Sequence, residues 1–386
     1  MKLNLRRITT SNFYLPELDG LRFLAIMPVV YTHSRTYILG STPAALSDQL
    51  TIDVTKWIGY FSGFGVPLFY CISGFILSLP FARYCMGTGK EVKIGKFYMR
   101  RLTRLEPPYI LSLTFFYLVH VFINGESFTD LLPNFLASFF YLHNVVFGEW
   151  SYINPVAWTL EIEFQFYLIA PFISLLIFRL RSALRVAVLL FLMVFFVTVE
   201  IYASAALSEV NLNRTIITKA HYFLGGFLCC HLYLNDSSRF TRKSYFWDCA
   251  AIAAFFLTGF RFMVKLDPSI DLYIAKLVFT FAILLFFLAG FKGKLTNKLM
   301  SLAPISIIGG MCYSIYLLHY PIIHFIGKVI KPNVIFDGYL WLDILIYMAV
   351  YTPIVISVCA VFYVLIERPC MDPAWPKKLI GYFRKK

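Results

Sequence analysis

The sequence predicts an all-α protein: a polytopic transmembrane helical bundle of about ten spans, with both termini cytoplasmic. Three observations carry that expectation. Of 386 residues, 59% are hydrophobic and 18% aromatic, against roughly 45–50% apolar in an ordinary soluble domain. Apolar runs of about 18–25 residues recur, each long enough to cross a hydrocarbon core roughly 30 Å thick as a helix. Basic residues collect in alternate short connections. A soluble fold could not cover so much apolar surface, so lipid serves as the outer solvent.

The runs place spans near residues 20–39, 57–80, 107–124, 158–178, 186–206, 216–234, 246–263, 272–291, 302–327 and 341–366. With the N-terminus inside, the inner segments hold Lys2, Arg6 and Arg7, then Arg83, Lys90, Lys93, Lys96, Arg100, Arg101 and Arg104, then Arg179, Arg181 and Arg185. They continue with Arg239, Arg242 and Lys243, with Lys292, Lys294 and Lys298, and with Arg368, Lys377, Lys378, Arg384, Lys385 and Lys386. These are 25 of the 35 basic residues, so the positive-inside rule sets the orientation.

The first apolar run carries Arg22 and His33, contains Pro28 and lacks a small-residue cleavage site, so it is expected to be a retained span. A further apolar stretch, about 131–147, would invert every later loop if it crossed; it is expected to be re-entrant or interfacial on the outer side. From Ile123 to Phe178 there is no Lys or Arg, as suits a translocated segment. No internal repeat or soluble domain is evident. The chain reads as one domain, residues 1–386, with a core of about 15–369, a basic tail 370–386 and no appended soluble domain.

The net charge of +14 would suggest nucleic acid in a soluble protein; here topogenic loops account for it, and no nucleic-acid partner is expected. The eight cysteines form no CxxC pair and read as small membrane-embedded hydrophobes. Neither HExxH nor paired-carboxylate spacing occurs, so no metal is expected.

Ionisable groups within a span cost several kcal/mol, which makes each a functional candidate. Arg22 and His33, eleven residues apart, fall within about 20° of one helix face and roughly 16 Å apart along the axis. Such a face can hold phosphate at its inner end and place a reactive group near its outer end. Alternatively, Arg22 snorkels and His33 packs helices, and Pro28 between them can bend the face. Arg100, Arg101 and Arg104 cluster over little more than a turn before Pro107 and Pro108, which are expected to open the next span. They suit forked phosphate contacts, or positive-inside charge and anionic lipid.

Glu161 and Glu163 lie about 200° apart on their helix, so one of them must meet an outer loop or interface. Glu163 is expected to face inward with Thr159 and Tyr167; the alternative is neutralisation of a buried Arg or His. Ser73 with Gly74 reads as close packing, and His319 as an interfacial histidine.

These motifs together resemble the acyltransferase-3 family of integral membrane acyltransferases, which includes bacterial acetylases of O-antigen and exopolysaccharide. The matches run from Leu15 to Pro369. They are LPELDGLRFLAI with the Arg-x10-His pair Arg22 and His33, LFYCISGFIL with Ser73 and Gly74, and YMRRLTRLEPPY with Arg101 and Arg104. AWTLEIEFQFYL with Trp158 and Glu163, YSIYLLHYP with His319, and the ERP triplet at Glu367 complete the series.

The resemblance implies ten spans, acyl-CoA, with acetyl-CoA foremost, as co-substrate rather than a resident cofactor, and His33 as catalytic base. Arg22, Arg100, Arg101 and Arg104 become donor contacts, Glu163 a catalytic partner that orients His33, and Ser73, Trp158 and His319 substrate contacts. The expected partners are membrane lipid and a carbohydrate or glycolipid acceptor, the expected location a bacterial inner membrane. Phe164 stands where many members have a second acidic residue, which moves weight onto Glu163. The rival class is a proton-coupled or substrate-gated transporter, which predicts inverted repeats and paired broken helices.

Overall fold

The computed structural model describes residues 5–8, 14–42, 59, 62–206, 214–235, 242–263, 270–336, 339–376 and 378. Among them the chain is helical without a strand, with one isolated bridge between Ser244 and Gly293. Helix α1 spans Pro16–Ser41, α2 Gly65–Cys85 and α3 Ile94–Phe122. Two short helices follow, α4 Phe128–Phe139 and α5 His143–Phe147. Next come α6 Trp158–Phe178, α7 Ser182–Ala206, α8 Ile216–Asn235, α9 Tyr245–Met263 and α10 Ile270–Lys292. The series closes with α11 Lys294–Met300, α12 Ala303–Gly310, α13 Cys312–Ile330 and α14 Leu340–Phe362, which continues through a π-turn, Tyr363–Glu367.

Six helices are long and apolar enough to cross a membrane, and α12 with α13, bent by 72°, makes up to seven. Length and composition therefore assign six or seven spans where the sequence suggests about ten. Helix α1 illustrates the shortfall, because Glu17, Asp19, Arg22 and Arg35 lower its hydropathy although it is 26 residues long. Large apolar side chains on the bundle exterior, such as Phe172, Leu176, Phe191, Ile252 and Leu365, are more than half exposed, as expected where lipid is the solvent.

The stretch near 131–147 forms α4 and α5 rather than one continuous span-length helix. Leu131 and Ser138 of α4 are buried, while Phe128 and Leu136 stay exposed. Helix α3 corrects a second expectation. Pro107 and Pro108 do not open it; it begins at Ile94 and carries the arginine cluster on its own first turns. Proline removes an N–H and displaces the carbonyl one turn back. Nearby carbonyls find other donors: the Trp375 indole donates to Thr103 O at 2.8 Å and the Tyr313 hydroxyl to Leu105 O at 2.9 Å. Neighbouring side chains thus let the helix run through both prolines.

Two buried apolar clusters build the bundle, one around α2, α6, α8 and α10, the other around α3, α13 and α14, with α1 contributing to both. The α2–α8 crossing depends on Gly74 and Gly226. A Cβ at Gly74 would overlap the Phe223 carbonyl, and one at Gly226 the Cys71 carbonyl. These backbones touch because no side chain stands between them. Gly226→Val is expected to cost roughly 3 kcal/mol and to lower the yield of monodisperse protein after detergent extraction. Wild-type recovery would show that the crossing can open.

Arg185 was grouped by sequence with the topogenic charges, but it is buried. It donates to Phe178 O and Leu180 O, both at 2.8 Å, and lies 3.0 Å from His231 Nδ1. Its guanidinium satisfies carbonyls at the C-terminal end of α6, where a helix leaves acceptors unpaired.

Candidate active site

Helices α1, α2, α3, α6 and α13 enclose a cavity of about 810 Å³. One end is cationic: Arg7, Arg22, Arg83, Arg100, Arg101 and Arg104 line it with Lys93 and Lys96. The deep end is lined by Tyr70, Ser73, Thr159, Glu163, Tyr167, Tyr313 and Tyr316.

At the cationic end, Asp19 is shared. Its Oδ1 accepts from Arg22 and, at 3.1 Å, from Arg7. Gly309 and Gly20 bring α12 and α11 so close to α1 that a Cβ at either would meet backbone, which seats the broken helix beside this carboxylate. Arg101 lies over the Phe97 ring at 3.8 Å and donates through Nη1 to Phe97 O at 3.5 Å, and its planar fork carries further N–H groups for an anion. Arg104 Nε is buried without a hydrogen-bond partner among the described residues.

Arg7 precedes the first span. Burial, then the neighbouring Arg104 and Arg22 cations, push its pKa down to about 9, with Asp19 opposing. A guanidinium does not surrender its proton in a protein, so such an environment is relieved by binding an anion. Arg7 was read from sequence only as inner-side charge. The signal that finds it is proximity to the LDGLR motif once α1 folds back on its own approach segment.

At the deep end, Glu163 Oε1 accepts from Ser73 Oγ and, at 2.6 Å, from the Tyr167 hydroxyl. Thr159, Glu163 and Tyr167 share one face of α6, and all three line the cavity. Glu161, on the opposite face, meets the α5 loop: Asn144 N donates to its Oε2 at 2.8 Å. Glu367 is buried and accepts from Ser314 N at 3.0 Å and from Ser314 Oγ. It thereby caps the start of α13, whose first turn contributes Cys312 and Tyr313 to the cavity. A π-turn at its position reshapes the helix there, as such turns often do beside functional sites.

His33, Trp158 and His319 do not line this cavity. The His33 and His319 rings pair at 5.1 Å, and Tyr320 meets His33 edge-on at 5.3 Å. The cavity ends at Tyr316, whose ring is 6.1 Å from His319. The Tyr316 hydroxyl bonds Val156 O and pairs with Thr159 Oγ1. Tyr316 thus lines the cavity and also neighbours His319. His319 is fully buried, its Nδ1 2.9 Å from both Ile315 O and Tyr316 O, while Nε2 has no hydrogen-bond partner among the described residues. Those two acceptors fix Nδ1 as the protonated nitrogen and leave Nε2 a lone pair. The Glu163 carboxylate is held by Ser73 and Tyr167, and His33 makes no hydrogen bond among the described residues.

A family model described as an acyltransferase domain, the acyltransferase-3 family, matches residues 15–366. The chain belongs to that family. This acyltransferase-3 chain is 24% identical over 360 residues to the O-acetyltransferase OatA of Staphylococcus aureus, covering 82% of the chain and 51% of the relative. It is 26% identical over 353 residues to the peptidoglycan O-acetyltransferase OatA of Listeria monocytogenes, covering 84% and 52%. A putative O-acetyltransferase of S. aureus is 23% identical over 336 residues, covering 81% and 51%. The acyltransferase-3 chain spans about half the length of these curated relatives. No solved structure matches it.

Within this family member the cavity brings together Arg22, Arg100, Arg101, Arg104, Ser73 and Glu163 from four helices. It includes Tyr167, expected on the Glu163 face, and adds Arg7 and Tyr316, to which sequence reasoning gave no place in the site. Tyr316 lies three residues before His319 in YSIYLLHYP, one helical turn away, which is the signal that would have found it.

Proposed function

We propose that this protein moves an acyl group, acetyl foremost, from acyl-CoA to a hydroxyl of a cell-surface carbohydrate. The cavity carries the reading: a cluster of guanidiniums at one end and a tyrosine- and carboxylate-lined recess at the other, within the roughly 300–1,000 Å³ that holds a small ligand. The donor's phosphates bind Arg7, Arg22, Arg100, Arg101 and Arg104 in forked, charge-assisted contacts. Its thioester arm extends along α1 towards Glu163 and Tyr316. By the positive-inside rule the arginine end faces the cytoplasm, so the acceptor approaches from the other leaflet.

His33 accepts the hydroxyl proton as the oxygen attacks the thioester carbonyl. The C–S bond breaks, the thiolate leaves, and the proton returns to it. No metal enters the scheme, because thiolate is a good leaving group. His319, its lone pair facing an otherwise buried surround, supports the adjacent imidazole. Tyr316 joins the cavity lining to His319, so a Tyr316→Phe change, which breaks its bonds to Thr159 and Val156, is expected to alter kcat more than donor affinity.

Purified protein in nanodiscs, given acetyl-CoA labelled in the acetyl group together with isolated cell-envelope glycans, is expected to deposit alkali-labile label on carbohydrate. Label confined to lipid or to free acetate overturns the reading. Adenosine 3′,5′-bisphosphate alone is expected to raise the thermal midpoint, and Arg7→Ala to abolish that shift. An unchanged shift in Arg7→Ala removes Arg7 from the donor site.

A further inference from the structure

A second cavity, about 320 Å³, opens at the end of α3 away from the arginines. Its walls come from the loop after α3, from α4 and α5, and from the segment leading to α6. Phe147, Trp150 and Tyr152 line it, 40%, 50% and 54% exposed as residues. Between them stand Glu126, Glu149, Asn134 and His143, and among the described residues no Lys or Arg lines it, with Arg214 set against the Trp150 ring.

With two carboxylates, this lining disfavours an anion and suits an uncharged polyhydroxyl ring. Polarised C–H groups on one face of a sugar lie against the negative face of an aromatic ring. Hydroxyls at its edge donate to carboxylate and amide oxygens, which Glu126, Glu149 and Asn134 supply. An interfacial aromatic belt also exposes Trp and Tyr, but has no need of two carboxylates within one concave pocket.

The walls are pre-set. Arg214 lies over Trp150 at 4.6 Å and donates to Gly148 O at 2.9 Å. The Tyr152 hydroxyl donates to Glu126 at 3.2 Å, and His143 Nε2 meets Asn134 Oδ1 at 2.9 Å.

The pocket is also tied to the deep end of the main cavity. Trp150 packs edge-on against Trp158 at 5.5 Å; Trp158 starts α6, and the next residue, Thr159, lines the main cavity beside Tyr316. Asn144 of α5 donates through Nδ2 to Trp158 O at 2.9 Å.

We propose that this pocket is a glycan-docking subsite, in which a sugar ring of the acceptor stacks on Trp150 while its hydroxyls meet Glu149 and Glu126. The proposal rests on the acyl-transfer reading above and names where that acceptor is held.

The test is direct binding, followed by turnover. Triacetylchitotriose, and maltotriose separately, are titrated into the protein in nanodiscs while tryptophan emission is followed. Saturable quenching by either sugar is expected, with affinity reduced about tenfold in Trp150→Ala and in Glu149→Lys; the second changes an exposed side chain and spares the fold. In turnover both variants raise the acceptor KM and leave the acetyl-CoA KM in place. Absence of quenching by both sugars, or wild-type affinity in both variants, overturns the subsite even where acetyl transfer proceeds. Trp150-dependent binding without any acetyl-CoA-dependent transfer keeps the subsite and overturns the acyl-transfer reading instead.

Discussion

His33→Ala is expected to lower acetyl transfer by 10²- to 10⁴-fold, the usual contribution of a positioned general base, while adenosine 3′,5′-bisphosphate still stabilises the protein. The separation is a consequence of geometry. His33 lies outside the arginine-lined cavity, against His319 and Tyr320, so its loss leaves the donor's phosphate contacts untouched. His319→Ala is expected to fall between His33→Ala and wild type, because it removes a neighbour of the imidazole and not the imidazole itself. Single-turnover transfer at saturating donor is the measurement. Near-normal transfer by His33→Ala in folded protein would remove it from the chemistry.

Glu163 separates hydrogen bonding from charge. Ser73 and Tyr167 both donate to Oε1, an oxygen that Gln retains, whereas Ala leaves two half-buried hydroxyls without their acceptor. Arg22 and Arg101 also interact electrostatically with this carboxylate. Glu163→Ala should therefore destabilise the protein by roughly 2 kcal/mol, the scale for leaving hydrogen-bond donors unpaired away from water, and abolish measurable transfer. Glu163→Gln should stay within about 1 kcal/mol of wild type, bind the anionic donor at least as tightly, and still lose most of its turnover. Thermal midpoint and kcat measured on the same preparations decide between the roles. If Gln equals Ala in stability, the negative charge and not the hydrogen bonds holds the deep end together.

Much of the bundle was legible because lipid imposes its own pattern. The α6 boundaries, Trp158–Phe178, coincide with an apolar run flanked by turn-forming residues at one end and Arg179 at the other. Helix α3 was misjudged at its start, since two adjacent prolines read locally as a boundary and only Trp375 and Tyr313, far away in the chain, supply the donors that let it continue. The bend of 72° between α12 and α13 was likewise invisible, because Gly309 and Gly310 suggest flexibility without saying where the chain turns.

The site divides along the same line. Residue types and order in the chain, Arg22 with His33, Arg101 with Arg104, Trp158 with Glu163, were enough to place this protein in its family and to separate a cationic end from an opposite one, since those properties follow from helical period and from the cost of charge in lipid. The pairing of side chains was not so determined. That Arg7 joins Arg22 on Asp19, that Glu163 accepts from Ser73 as well as Tyr167, and that Tyr316 of the cavity lining pairs with Thr159 depend on contacts between segments distant in sequence. A helix's own period says which residues share its face, and only packing against its neighbours decides what that face meets.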